Sequence, residues 1–226
     1  MTGTIITLDG PAASGKSTVA KRLAELLGYI YIDSGAMYRA IAFAADKKGI
    51  GPEDVEGLAR LCAGLPLKFV YQEGEFKAFY EGGDISAQLR SERIGELASL
   101  YSVSPVVRDC LTGVQRELVD SVSAVLEGRD AGTVVCPEAR FKFYLTATAE
   151  VRVQRRHGQL AASGKRANLD IIGRGLNKRD RRDRSRKSAP LAKAPDSLVI
   201  DSSHLSADQV VEMILQLMVQ RKAKSR

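Results

Sequence analysis

No run in this 226-residue sequence approaches the ~20 consecutive apolar residues that span a bilayer, so no membrane partner is expected. The N-terminus runs straight into an apolar strand-like stretch, without a charged segment followed by an apolar one. No secretory signal is read there, and a cytoplasmic location is the expectation. Cysteine is sparse: Cys62, Cys110 and Cys136 are odd in number, widely spaced and in no metal-like pattern. They fit reduced, buried thiols better than disulfides or zinc ligands. No internal repeat is apparent. Apolar residues at 44% and charged residues at 27% are near the averages for globular proteins, which argues against overall disorder. At this length a single domain with an insertion is the default. The net charge of +7 points to anionic partners without saying whether they are small molecules or nucleic acid.

The periodicities alternate. Ile5 to Leu8 is a short apolar run ending at Asp9-Gly10-Pro11. Val19, Leu23, Leu26 and Leu27 then recur at helical spacing until Gly28 supplies a stop. Tyr29 to Ile32 reads as a second strand, and Asp33-Ser34-Gly35 opens a helix carrying Ala36, Ala40, Phe43 and Ala44. Strands alternating with helices predict an α/β fold with a mainly parallel sheet. After a short helix from Pro52 to Ala63, "LKFVYQ", Glu73-Gly74-Glu75 and "FKAFYEGGDIS" read as a hairpin, which is out of place in such a series. Residues 65–104, including a helix from Ser91 to Tyr101, therefore read as an inserted subdomain. The series resumes with a helix from Val106 to Ser121 and strands at Ser123 to Leu126 and Phe141 to Leu145. A helix from Ala149 to Arg156, a strand from Leu198 to Asp201 and a last helix from Ala207 to about Lys222 complete it. The final "RKAKSR" reads as a frayed basic tail.

"GPAASGKS" matches the phosphate-loop pattern G-x-x-x-x-G-K-[ST]. The candidate ATP-binding residues are Gly10, Pro11, Ala12, Ala13, Ser14, Gly15, Lys16, Ser17 and Thr18. The glycines let backbone N–H groups turn toward phosphate oxygens, Lys16 reaches the β and γ phosphates, and the Ser17 hydroxyl can ligate Mg²⁺. The helix that follows points its positive end at the same anion. A nucleotide site alone defines no activity, because motors, GTPases, nucleic-acid ATPases and small-molecule kinases share it.

Three later stretches bear on the acceptor. "DSGAMYRA" begins at the carboxyl end of the second strand, where ligands bind in open parallel sheets. Arg39 there suits a substrate phosphate. Asp33 or Ser34 can equally be a helix N-cap, and Tyr38 a core aromatic. "EGRDAGTVVCPEA" brings Glu127, Arg129 and Asp130 to another strand end, where Asp130 could accept from a base or sugar and Arg129 could bind phosphate; a surface ion pair is the alternative. In "RDRRDRSRK", Arg179, Asp183 and Arg186 fall at i, i+4 and i+7 of a helix and resemble a phosphate clamp, while Arg181 and Arg184 point elsewhere. RNA binding would also explain the arginines, but no aromatic stacking residues are interleaved, so no nucleic-acid partner is expected.

"DGPAASGKST", "DSGAMYRA", "EGRDAGTVVCPEA", "RDRRDRSRKSAPL" and "LVIDSS", in this order, closely resemble the bacterial cytidylate kinases over nearly the whole chain. The resemblance implies one nucleoside monophosphate kinase domain over residues 1–226. It has a five-stranded parallel core, an acceptor-binding subdomain at residues 65–104 and a mobile lid near residues 154–178. The implied reaction passes a phosphoryl group from ATP, with Mg²⁺, to CMP or dCMP. By motif, Ser34 and Arg39 would contact the acceptor's sugar and phosphate, and Tyr38 would line that site. Ser99 and Arg108, with Asp130 and Arg186, would read the cytosine. Arg129, Arg179 and Asp183 would hold phosphates or the pentose, which makes Lys16, Arg129, Arg179 and Asp183 the candidate catalytic set. Ser99 and Arg108 rest on the resemblance alone. Ala131 and Cys136 stand where the family usually has larger apolar residues, and the lid is rich in glycine and small residues for a segment that the family often makes helical. Arg155, Arg156, Lys165 and Arg166 of the lid are further candidates for ATP contact. A monomer is the default expectation. A kinase for another small anion, such as UMP or shikimate, and an RNA-binding ATPase are the competing readings.

Overall fold

The chain runs β1 (Ile5–Asp9), α1 (Lys16–Leu27), β2 (Ile30–Asp33), α2 (Ser34–Lys47), α3 (Val55–Ala63), β3 (Leu67–Gln72), β4 (Glu75–Tyr80), β5 (Gly83–Asp84), α4 (Glu92–Tyr101) and α5 (Pro105–Val119). It continues through β6 (Ala124–Gly128), β7 (Phe141–Thr146), α6 (Ala149–Ala162), α7 (Leu169–Ser185), β8 (Leu198–Asp201) and α8 (Ala207–Ala223). The structure is a computed structural model and describes residues 3–166 and 168–223. Five strands form one parallel sheet in the order β2-β6-β1-β7-β8, as the resemblance implied.

β1 and β6 are buried along their whole length because helices cover both faces of the sheet. Successive side chains sort to opposite faces. Ile5, Ala124 and Leu126 pack with Met37 and Ile41 of α2, Leu58 of α3 and Leu111 of α5. Ile6, Leu8 and Val125 pack with Val19 and Leu23 of α1 and Ile214 of α8. Helix α1 buries Val19, Ala20, Leu23 and Ala24, and Gly28 closes it in the left-handed region at φ 65°. Leu26, which the spacing assigns to that stripe, is instead 67% exposed, and Leu27 completes the packing.

The inserted segment holds a three-stranded antiparallel sheet, β3-β4-β5. Glu73 and Gly74 make its tight turn with both φ values positive (56° and 77°), the conformation that joins two strands with matching twist. Phe69, Ala78, Ile85, Leu89, Ile94 and Ala98 bury into the same cluster as Met37 and Ile41, so the insert shares its core with α2.

Several bounds differ from the expectation. α5 begins at Pro105 and ends at Val119, and α6 runs six residues beyond Arg156 to Ala162. The glycine-rich segment expected to form a lid is mostly helical, with Gly158 inside α6 and Gly173 and Gly175 inside α7. Tertiary contact offsets the propensity cost of those glycines: Leu160, Ile172 and Leu176 cluster against Ala12 of the phosphate loop. The tail expected to fray is helical through Ala223, and residues 224–226 lie outside those described.

Phe143 sits in β7 with 1% of its surface exposed. Phe143→Ala is expected to lower unfolding free energy by about 3–5 kcal/mol, read from the urea midpoint at unchanged slope.

Candidate active site

The loop between β1 and α1 turns abruptly. Gly10 has φ 150°, and a Cβ there would lie 2.0 Å from the Leu145 carbonyl oxygen, so only glycine lets the loop leave the sheet beside β7. Ala13 takes φ 59° and Gly15 φ 94°, and α1 starts directly afterwards. Lys16 is folded back over the loop, donating to Pro11 O at 2.7 Å and Ser14 Oγ at 3.4 Å. Burial and then the Arg129 guanidinium lower its pKa to about 7. Ser17 and Thr18 are exposed at the first turn of the helix.

Residues of the lid helices support this loop from behind. Asp180 of α7 accepts from Ala12 N at 3.3 Å and pairs with Arg152 of α6, which donates to Ala12 O at 3.2 Å. Arg155 donates to Ser14 O at 3.2 Å and to Ser202 Oγ at 2.9 Å. The sequence reading missed Asp180 and Arg152, whose partners lie 168 and 140 residues away. Arg155 holds loop backbone, whereas Arg156 reaches Glu92 of α4 at 3.4 Å.

Beside Lys16, the ends of β1, β2 and β6 gather carboxylates. Asp33 is the N-cap of α2, its Oδ1 accepting from Ala36 N at 2.8 Å, as the plainer of its two readings held. Ser34 does not cap the helix; its hydroxyl donates to Glu127 O at 2.6 Å. Glu127 accepts from Tyr31 Oη at 2.7 Å and bonds Ser17, and burial followed by the nearby Asp33 charge raises its pKa. Asp9 accepts from the backbone N–H groups of Ala131 (2.9 Å) and Gly132 (2.7 Å). Burial pushes its pKa up to about 6 against those two hydrogen bonds. Asp9 had no assigned role in the sequence reading, because its partners are amides more than 120 residues away.

Among the described residues, no three His, Cys, Asp or Glu side chains are grouped as a metal cage. The donors here are oxygens of Ser17 and Glu127, already bonded to each other. Such a set fits an ion like Mg²⁺, which takes one or two protein oxygens and keeps water and phosphate in its other positions.

A buried charged network occupies the other end of the crevice. Arg108, 2% exposed, pairs with Asp130, donates to Ser102 O at 3.2 Å and lies over the Tyr38 ring at 5.3 Å. Arg186 approaches Asp130 at 3.5 Å and Asp183 at 3.9 Å, and donates through Nε to Ala189 O at 2.7 Å. Burial, then the Arg108 charge, lowers the pKa of Arg186. Arg129 completes the series by donating to Asp183 at 3.1 Å. Ser99 faces the same end and accepts from Arg182 at 2.7 Å. Arg182 was not singled out by the helical spacing, although it carries the contact from α7 to the insert.

The clamp differs from its expected form. α7 stops at Ser185, so Arg186 leaves the helix in extended backbone (φ −65°, ψ 142°). The guanidiniums around Asp183 are those of Arg129 and Arg186. Arg179 lies nearby with a buried, unpartnered Nε, and burial with the Arg129 charge lowers its pKa to about 10. Arg181 and Arg184 are exposed, as the spacing indicated.

Residues 6–220 match the sequence profile described as "Cytidylate kinase". The chain belongs to the cytidylate kinase family. It is 43% identical over 218 residues to the cytidylate kinase of Syntrophotalea carbinolica, covering 96% of this chain and 93% of that one. Against the cytidylate kinase of Cupriavidus pinatubonensis the identity is 43% over 212 residues, covering 94% of each. A solved structure, of an uncharacterized protein from Eubacterium ventriosum, matches with a TM-score of 0.50 at 13% identity, covering 95% of this chain and 97% of the other, a likeness of fold alone. Family membership makes the protein a phosphotransferase.

If Lys16 is largely neutral in the free protein above pH 8, binding of a nucleoside triphosphate restores its charge. Calorimetry at pH 8.5 in buffers of different ionisation enthalpy is expected to show uptake approaching one proton, falling toward half at pH 7. No uptake at pH 8.5 would mean that Lys16 is already charged without ligand.

Proposed function

We infer that the protein transfers the γ-phosphoryl group of ATP to CMP or dCMP, giving ADP and CDP or dCDP. One observation carries the choice of acceptor. Asp130 is held between Arg108 and Arg186, and all three are buried, as is Ser99 of α4. Cytosine offers an amino donor beside N3 and O2 acceptors, which a carboxylate flanked by arginines complements. A carboxylate has about four acceptor positions, so Asp130 keeps capacity for that amino group while bonding both arginines. Uracil lacks the amino donor and would leave Asp130 under-satisfied.

Donor and acceptor meet along a positive track. Gly10 to Thr18 would wrap the triphosphate, with Lys16 moving from Pro11 O onto the phosphates and Ser17 holding Mg²⁺. The ion neutralises phosphate charge and fixes the geometry of the phosphates when bound. Arg39, Arg129 and Arg179 would hold the acceptor phosphate and the transferring group, and Ser34 and Asp183 the sugar side. No general base is required, because a phosphate oxygen of the acceptor is already anionic at neutral pH. Placement and charge neutralisation then supply most of the acceleration. A lid over residues 154–178 would close to exclude water that otherwise hydrolyses ATP. The same reading places the protein in cytoplasmic pyrimidine nucleotide metabolism, acting as a monomer.

A coupled ADP-release assay across CMP, dCMP, UMP, AMP, dTMP and shikimate is expected to favour the two cytidine nucleotides. A clear preference for any other acceptor would overturn the assignment. Stimulation of hydrolysis by RNA, weakening steeply with salt, would instead favour an RNA-dependent ATPase. Arg186→Ala is expected to lower CMP turnover at least tenfold, the effect of losing one charged hydrogen bond of ~1.5–3 kcal/mol. Unchanged kinetics would remove Arg186 from the acceptor site.

A further inference from the structure

Two of the three cysteines have a placement that the proposed chemistry does not use. Cys62 lies in the last turn of α3 and Cys110 in the second turn of α5, and the two helices pack against each other. The Cys110 thiol donates to the Cys62 carbonyl oxygen at 3.9 Å, and the two thiols lie close enough to perturb each other's ionisation. Both residues are half-buried, which leaves them reachable by a small oxidant, whereas Cys136 is fully buried. The residues are 48 apart, and the chain between them contains the whole inserted segment, β3, β4, β5 and α4. A bond between them would therefore tie together the two ends of the insert. It would also pull on the turn of α5 that carries Arg108, two residues before Cys110.

We propose that Cys62 and Cys110 are a redox pair, closed to a reversible disulfide by peroxide, that restrains the root of the inserted segment and weakens acceptor binding. The reaction balances as two one-step displacements. The Cys110 thiolate attacks one peroxide oxygen, forming a sulfenic acid and releasing hydroxide. The Cys62 sulfur then displaces that oxygen as water to form the S–S bond. Two thiols lose two electrons and one peroxide becomes two waters. The neighbouring thiols shift each other in opposite directions, Cys110 downward and Cys62 upward, which is the order of an attacking thiolate and a resolving thiol. Closure requires the sulfurs to approach to about 2.05 Å, which shifts α3 against α5. A small-molecule dithiol would reverse it by exchange.

The test uses the full-length protein treated with hydrogen peroxide at a few molar equivalents. Intact mass after alkylation under denaturing conditions is expected to show two thiols lost and only one, Cys136, alkylated. Peptide mapping should join Cys62 to Cys110, and dithiothreitol should restore all three thiols. Cys62→Ser should stop at a Cys110 sulfenic acid, trapped by dimedone, with the starting activity of the reduced protein retained. Kinetically, the oxidised wild-type protein is expected to show KM for CMP raised at least threefold and KM for ATP changed by less than twofold, reversed by dithiothreitol. This kinetic part rests on the reading of Arg108 as an acceptor-site residue, whereas the mass measurement does not. Three reactive thiols after peroxide, or a disulfide involving Cys136, would overturn the pair itself. A Cys62–Cys110 disulfide with unchanged KM for CMP would overturn its control of the acceptor site.

Discussion

The buried pairing of Asp130 with Arg108 and Arg186 is the constraint around which the crevice is organised. Each of the three groups loses most of its hydration, and buried ion pairs of this sort seldom add net stability compared with apolar packing. Their value lies in pre-organisation. Arg108 comes from α5, Asp130 from the turn after β6, and Arg186 from the end of α7, so one carboxylate fixes three otherwise independent parts of the chain in relation to one another. The desolvation cost is incurred during folding, so a ligand bonding to Asp130 meets a site already dehydrated and oriented.

Asp130 in turn depends on Asp9. The turn after β6 is a short π-helical segment, residues 131–135, and the Asp9 carboxylate holds its first two amides. Gly132 is required there because a Cβ would come within 2.7 Å of Thr7 Oγ1. Asp9 has a raised pKa, so the folded chain holds its proton more tightly than the unfolded chain between pH ~4 and about 6. Stability contributed by the protonated form is lost as pH rises through that window. At neutral pH the ionised carboxylate is tolerated because two backbone donors replace its water. The strand that begins the phosphate loop thus also shapes the turn that carries Asp130, which fixes the two ends of the crevice relative to each other.

Much of this was legible in the chain. The phosphate loop, the Glu73-Gly74 turn and the strand ends at Asp33 and Glu127 are local features, and local features survive folding because short-range geometry dictates them. What was missed has one physical character. Asp9, Asp180, Arg152 and Arg182 act on backbone or side chains 28 to 168 residues away, and no periodicity records such contacts. The phosphate clamp was half-read for the same reason. Spacing put Arg179, Asp183 and Arg186 on one helical face, but the helix ends at Ser185 and Arg129 arrives from another strand. The glycines of the lid candidate do not prevent helix there, since contact with Ala12 stabilises helices that propensity alone disfavours.

The distribution of satisfied and unsatisfied charge divides the crevice in two. Toward Asp130, Arg108, Arg129 and Arg186 all have carboxylate partners, so that part of the crevice carries little unmatched charge. In the middle, Lys16 bonds only neutral oxygens and Arg179 keeps an unpartnered Nε. Burial, followed by the Arg129 charge, lowers the pKa of both, to about 7 and about 10. Two buried cations without matched anions are unfavourable in the free protein, and phosphate oxygens would relieve that imbalance. On the function proposed above, a phosphoryl group would pass between these two cations. The strongest attraction would then fall on the charge that develops during transfer, while the proposed base site is a network that is nearly neutral on its own.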